Sequence, residues 1–172
     1  DIPQDEESAK IWIDLGIPKS RIAYLGAKDN WWGPAGQTGP CGPDTEMFYW
    51  ASESEAPKKF DPKDERWVEI WNDVFMQYNK VEEGKYEELK QKNVDTGFGY
   101  ERVFTILEGK ENLYESSLFV PIIDKIKELS KIEHDSSIRV ISDHIRAATF
   151  LLGEKVMPSN LEQGYVLRRL IR

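Results

Sequence analysis

A chain of 172 residues, 40% hydrophobic and 31% charged with a net charge of −8, can bury one substantial core, or one core plus a small helical lobe, without covalent staples. Its single cysteine, Cys41, excludes an internal disulfide and a cysteine zinc cluster, and no apolar run reaches membrane-spanning length. With no signal-peptide pattern at its start, the chain is expected to be cytoplasmic and to have no membrane partner.

The charge is uneven along the chain. Residues 139–172 hold six Lys or Arg against three Asp or Glu, a net of +3, which leaves −11 for the first 138. Such a patch can contact phosphates while the rest of the surface stays acidic, although a solvated helix face would carry the same charge. The acidic opening at residues 1–7, and an end at Arg172 inside a helical pattern with no glycine cap or terminating proline, lead us to expect a fragment.

In chain order, Ala9, Ile11, Trp12 and Leu15 predict a short amphipathic helix over residues 6–15, stopped by Gly16 and Pro18. Residues 21–25 predict a short strand. Residues 29–44 are so rich in glycine and proline that neither helix nor ladder is expected to persist through them, so a shaped loop should form the wall of a pocket. Trp31 and Trp32 at its entrance offer flat faces to a planar ring, with one of them expected to pack the loop onto the core. Residues 45–50 predict a strand and residues 51–63 a polar connection containing Pro57 and Pro62.

Residues 67–79 predict the most informative strand. Alternate positions place Val68, Ile70, Val74, Met76 and Tyr78 on one apolar face, where Asn72 is the one polar residue. A buried amide needs partners, either neighbouring backbone or something polar bound in a cavity. Residues 81–90, with Gly84 at a turn, predict a surface hairpin.

The run Val94-Asp95-Thr96-Gly97-Phe98-Gly99-Tyr100-Glu101-Arg102-Val103 then joins two glycines, which let backbone approach a ligand, to an arginine whose fork suits phosphate. Alone it also reads as an ordinary strand-to-helix turn with a surface ion pair. Val103, Phe104, Ile106 and Leu107 predict a short helix closed by Gly109. Phe119 to Leu129, with Pro121 in the first turn, predict a second, Ile138 to Leu152 a third, and Gly164 to Arg172 a last one carrying Arg168, Arg169 and Arg172. His134 and His144 lack a Ser or Cys partner pattern and are expected at the surface or in helix packing.

Several of these stretches resemble, in order, the aminoacylation domain of alanyl-tRNA synthetases. They are Asn30-Trp31-Trp32, Thr38-Gly39-Pro40-Cys41-Gly42-Pro43, Glu69-Ile70-Trp71-Asn72-Asp73-Val74-Phe75-Met76-Gln77, residues 94–102, Asp143-His144-Ile145-Arg146, Val156-Met157-Pro158-Ser159-Asn160, and residues 164–172. The resemblance implies an α+β fold. Residues 1–110 would form part of a class II antiparallel sheet with flanking helices, including the third class II motif at residues 97–102, and residues 111–172 the start of a helical tRNA acceptor-stem recognition region. It also implies ATP-dependent activation of L-alanine to alanyl-adenylate and its transfer to the 3′ end of tRNA(Ala).

Carried over residue by residue, the resemblance places Trp32, Ile70, Trp71, Asn72, Gly99 and Arg102 at ATP, and Asn72 and Asp95 at alanine. Arg102, Asp95 and Asn72 would then be the catalytic groups. Asn160 would read the acceptor stem at a G·U wobble pair, with Arg146, Arg168 and Arg169 as phosphate contacts or packing residues. Mg2+ is expected with the ATP phosphates, Glu46 being a candidate ligand or orienter. Asp44 stands where the family usually has a second cysteine, so Cys41 is assigned no metal role. Nothing resembles the first two class II motifs or the editing domain with its zinc ligands, so zinc is not expected and the fragment alone should be inactive or weak. Two simpler roles compete locally, Asp95 capping the following helix and Asn160 capping the last one. For the whole chain the alternatives are a non-catalytic alanine- or nucleotide-binding module and an RNA-binding helical protein.

Overall fold

Aromatic and β-branched side chains favour a pleated, half-buried surface, and residues 67–82 are rich in both. They form the 16-residue strand β3 (Trp67–Glu82), flanked by β2 (Gly39–Trp50) and β4 (Lys85–Phe98), with a two-residue strand β1 (Trp31–Trp32) on the outer side of β2. The order is β1-β2-β3-β4, antiparallel throughout. This structure, a computed structural model, describes residues 4–131 and 134–172. The chain divides after Ile106 into a sheet unit and a helical unit.

In the sheet unit, helix α1 (Glu6–Asp14) starts where the Asp5 carboxylate accepts the Ser8 N–H at 2.9 Å, and it stops before Gly16, whose φ is +102°. The strand expected at residues 21–25 does not form. Lys19–Arg21 make a single 3₁₀ turn closed by the Ile22 N–H, and the Arg21 guanidinium donates across to the Pro57 carbonyl, so this stretch is held without a strand partner.

The glycine- and proline-rich run also departs from expectation, because its second half is strand. β2 begins at Gly39 and runs through Pro40, Gly42 and Pro43. Proline lacks a donor and is tolerated where pairing is irregular, and the β2–β3 register shifts between Cys41 and Asp44. Gly42 is required there, since a Cβ would stand 1.9 Å from the Phe75 carbonyl oxygen. A second shift leaves Ile70 without a β2 partner between the pairs Met47–Trp71 and Phe48–Glu69. The single alternating face read from residues 68–78 is therefore broken at Ile70, and Glu69 joins the face of Asn72, Val74 and Met76. The hairpin turn between β3 and β4 falls at Glu83 and Gly84, the glycine having a φ of +72°. Trp50, Val74, Met76 and Cys41 are buried. Helix α2 (Tyr100–Leu107) follows β4, and Gly109 after it has a φ of +66°.

The helical unit contains α3 (Val120–Leu129), α4 (Asp135–Gly153) and α5 (Glu162–Ile171), with α4 packed against both of the others. Pro121 occupies the first turn of α3, where its missing N–H has no helical partner to lose. Phe119, Ile126, Ile138, Ala148 and Leu167 form the core. Buried Ser142 is satisfied within α4 by donating to the Ile138 carbonyl at 2.8 Å. Among the described residues no helix is long and apolar enough to cross a membrane.

Candidate active site

The site in the sheet unit is built by register. Asn72 on β3 stands opposite Glu46 on β2 and Gly97 on β4, and Val74 stands opposite Asp44 and Asp95. Side chains two apart on a strand share a face, so these two cross-strand rows lie side by side. Asn72 and Gly97 from one row and Val74 and Asp95 from the other line a cavity of about 160 Å³, together with Trp32 and Thr96. At Gly97 an added Cβ would meet nothing within 4 Å, so the glycine leaves the cavity open. The two tryptophans divide their work: Trp31 stacks on Tyr78 at 5.8 Å and meets Tyr86 edge-on at 5.6 Å, whereas Trp32 lines the cavity and remains 39% exposed. Asp95 lies within β4, five residues before α2 begins, so it does not cap that helix.

The electrostatics of this face are acidic and incompletely satisfied. Asn72 donates through Nδ2 to Asp44 at 3.3 Å, and Asn30 donates to the other Asp44 oxygen at 3.4 Å. The Oδ1 atom of Asn72 is buried and accepts no hydrogen bond from the described residues. Burial pushes the Asp44 carboxyl above its ordinary range, with the Asn72 and Asn30 hydrogen bonds opposing. Glu46 is pushed from 4.5 up to about 7, first by burial and then by Glu69, Asp44 and Asp29, against the pull of Arg102. An orphan acceptor among carboxylates calls for a cationic N–H donor.

At the end of this face the motif turn is tied back to β3. The Gly99 N–H donates to the Ile70 carbonyl at 3.3 Å, and Arg102 Nη1 donates to both the carbonyl and the carboxylate of Glu69, each at 3.0 Å. Gly99 makes room for this, because a Cβ there would lie 3.0 Å from Arg102 Cδ. Trp71 points to the other side of the sheet from Asn72 and stacks on Phe98 with ring centroids 4.7 Å apart. Thus Trp32, Asn72, Asp95 and Gly97 are brought together, Gly99 and Arg102 adjoin Glu69 and Ile70, and the Trp71 ring lies apart. Along the chain, Asn30 and Glu69 stand out only within the family-like stretches and Asp44 only as a replaced cysteine; that Asn30 and Asn72 meet Asp44, and that Glu69 meets Arg102, comes from the fold.

In the helical unit, Asn160 is exposed and its Oδ1 accepts from Arg168 Nη1. It does not cap α5. Leu161 occupies the cap position, and its N–H goes to the Ser159 hydroxyl at 3.2 Å. The loop is seated on α5 by Gly164, where a Cβ would stand 2.3 Å from Ser159 Oγ and 2.5 Å from the Met157 carbonyl oxygen. The half-buried Arg146 lies over the rings of Phe119 and Phe150 at 5.3 and 5.6 Å, while Arg169 is exposed. His144 is half-buried on α4, and His134 is exposed just before that helix.

Residues 2–172 match the family model for tRNA synthetases class II (A). The chain is 51% identical over 181 residues to the Alanine–tRNA ligase of Borrelia hermsii, covering 99% of this chain and 30% of that protein. It is 50% identical over 182 residues to that of Treponema denticola, covering 100% and 30%. Against the Alanine–tRNA ligase of Prochlorococcus marinus it is 48% identical over 178 residues, 98% of this chain and 20% of the relative. The chain thus spans less than a third of the length of these curated relatives. With the match running through the four-stranded sheet and the helices beyond it, the chain belongs to the class II tRNA synthetase family.

Proposed function

We propose that this chain supplies the alanine pocket, part of the ATP site and the start of the tRNA-reading region of an alanine–tRNA ligase. The observation that carries this reading is the cavity of about 160 Å³ lined by Asn72 and Asp95, beside which the Asn72 Oδ1 is buried without a donor among the described residues. A space of that size suits an amino acid with a very small side chain. Its ammonium would lie beside the exposed Asp95 carboxylate and near the Asn72 side chain, in a charge-assisted hydrogen bond. Its methyl group would rest on buried Val74, and Trp32 would present a ring to the nucleotide.

Activation is a displacement at the α-phosphorus of ATP. One oxygen of the alanine carboxylate forms the new P–O bond, the bond to the bridging oxygen breaks, and pyrophosphate leaves with the electron pair. The amino acid brings the nucleophile, so the protein supplies position and charge rather than a base. Arg102 is assigned to the terminal phosphates. A magnesium ion would be kept mainly by the phosphates and water, with Glu46 as a candidate protein carboxylate. Bound there, magnesium would neutralise phosphate charge. In the second step the tRNA 3′ hydroxyl takes the alanyl group and AMP leaves. The acceptor stem is assigned to Asn160, whose amide can read a base edge in the shallow minor groove of RNA, with Arg146, Arg168 and Arg169 at the phosphates or in packing. On this reading the 172-residue chain by itself activates alanine weakly or not at all.

The test is alanine-dependent ATP–pyrophosphate exchange by the full-length protein, beside calorimetric titration with alanine, ATP and an acceptor-stem RNA. Exchange is expected. Alanine or ATP binding without exchange would instead make this a sensing module, and RNA binding alone would make it an RNA-binding protein.

A further inference from the structure

We propose that Glu69 is a positioning residue that sets the orientation of Arg102 for the nucleotide, an inference that rests on reading Arg102 as a phosphate contact. An arginine in the first turn of a helix samples many rotamers unless something holds it. Here one residue holds it twice, because Arg102 Nη1 donates to the main-chain carbonyl and to the carboxylate of Glu69, both at 3.0 Å. The stem of Arg102 is laid against the bare Cα of Gly99, where an added Cβ would crowd it at 3.0 Å from Cδ and oblige it to shift. Gly99 is itself fastened to the Ile70 carbonyl, so two consecutive carbonyls of β3 hold the motif turn.

The register shift makes this possible. Leaving Ile70 without a β2 partner brings Glu69 onto the Asn72 and Glu46 face, from which its carboxylate reaches Arg102. The charge of Glu69 is felt on that face, raising both Glu46 and Asp44. Only Nη1 is engaged by Glu69, which leaves Nε and Nη2 of the fork to meet phosphate oxygens. With 51% of the Arg102 side chain and 35% of that of Glu69 exposed, the pair contributes little to stability, so its value lies in geometry.

The experiment is a double-mutant cycle in the full-length protein, read by alanine-dependent pyrophosphate exchange and by thermal melting. Glu69→Gln removes the charged acceptor and should raise the KM for ATP about five- to tenfold, leaving the KM for alanine and the melting temperature unchanged. Arg102→Ala should raise the KM for ATP further, and adding Glu69→Gln to it should then have no additional effect. Additive losses would show Glu69 acting on the nucleotide independently, and parallel rises in both KM values with a lower melting temperature would show a merely structural role; either result overturns the proposal. Absence of alanine-dependent exchange in the unaltered protein would reject the ligase reading, and the same cycle read by ATP titration would then decide Glu69. No ATP binding at all would reject both.

Discussion

Two asparagines, one in each unit, show how differently the chain builds its candidate contacts. Asn72 is assembled at long range: its Nδ2 meets Asp44, 28 positions away on a neighbouring strand, and its Oδ1 is left buried with nothing to accept. Asn160 is assembled locally, with its Oδ1 held by Arg168 eight positions on, in a loop exposed to solvent. A buried acceptor left without a donor is a place for a ligand or an ordered water to supply one. A satisfied, exposed amide marks a surface that a partner approaches from outside, so the first should control small-molecule affinity and the second should control RNA discrimination.

Disturbing the register on which Asn72 depends should have the largest effect. Gly42→Ala places a methyl group against the Phe75 carbonyl, and the strands must separate to admit it. We expect a loss of about 3 kcal/mol of stability, measured by denaturant unfolding, together with loss of alanine binding. Native stability with unchanged alanine affinity would show that the pocket tolerates a shifted β2.

A narrower change removes one charge and leaves the sheet alone. Asp95→Asn should weaken alanine by about 1–3 kcal/mol in the alanine dependence of pyrophosphate exchange, since it deletes the anionic half of a charged hydrogen bond. An unaltered dependence would remove Asp95 from the site.

On the other side of the comparison, Asn160→Ala in the full-length protein should leave alanine activation intact and slow charging of the wobble-containing tRNA by roughly fivefold, about 1 kcal/mol. Equal losses in the two steps would place Asn160 in the same functional unit as Asn72 and dissolve the distinction.

The smallest expected effect is a pH dependence. Because Glu46 is raised from 4.5 to about 7, the folded protein holds a proton that the unfolded chain releases. Its stabilising contribution is whole below about pH 4.5 and is lost as pH rises through about 7. The melting temperature should therefore decline over that interval more steeply in the unaltered protein than in Glu46→Gln. Parallel curves would mean that Glu46 titrates normally.

Much was legible in single stretches. The three helices of the helical unit announced themselves by apolar spacing and by Pro121, the hairpin by Gly84, and the polarity of Asn72 by its isolation among apolar alternates. These signals are local, since helix periodicity, turn conformation and side-chain alternation are each set within a few residues of one strand or helix. Tertiary structure decided what depends on two strands at once. It withheld a strand from residues 22–25 by closing Ile22 onto Lys19 and spanning Arg21 to Pro57, and it drew Pro40 and Pro43 into β2 through a register shift that Gly42 permits. It also left Ile70 without a β2 partner, so that Glu69 faces Arg102, and made Asp44 the partner of Asn72. Register is a property of a pair of strands, and a shift of one residue changes which side chains share a face, which is why those partners came from the fold and could not be read along the chain.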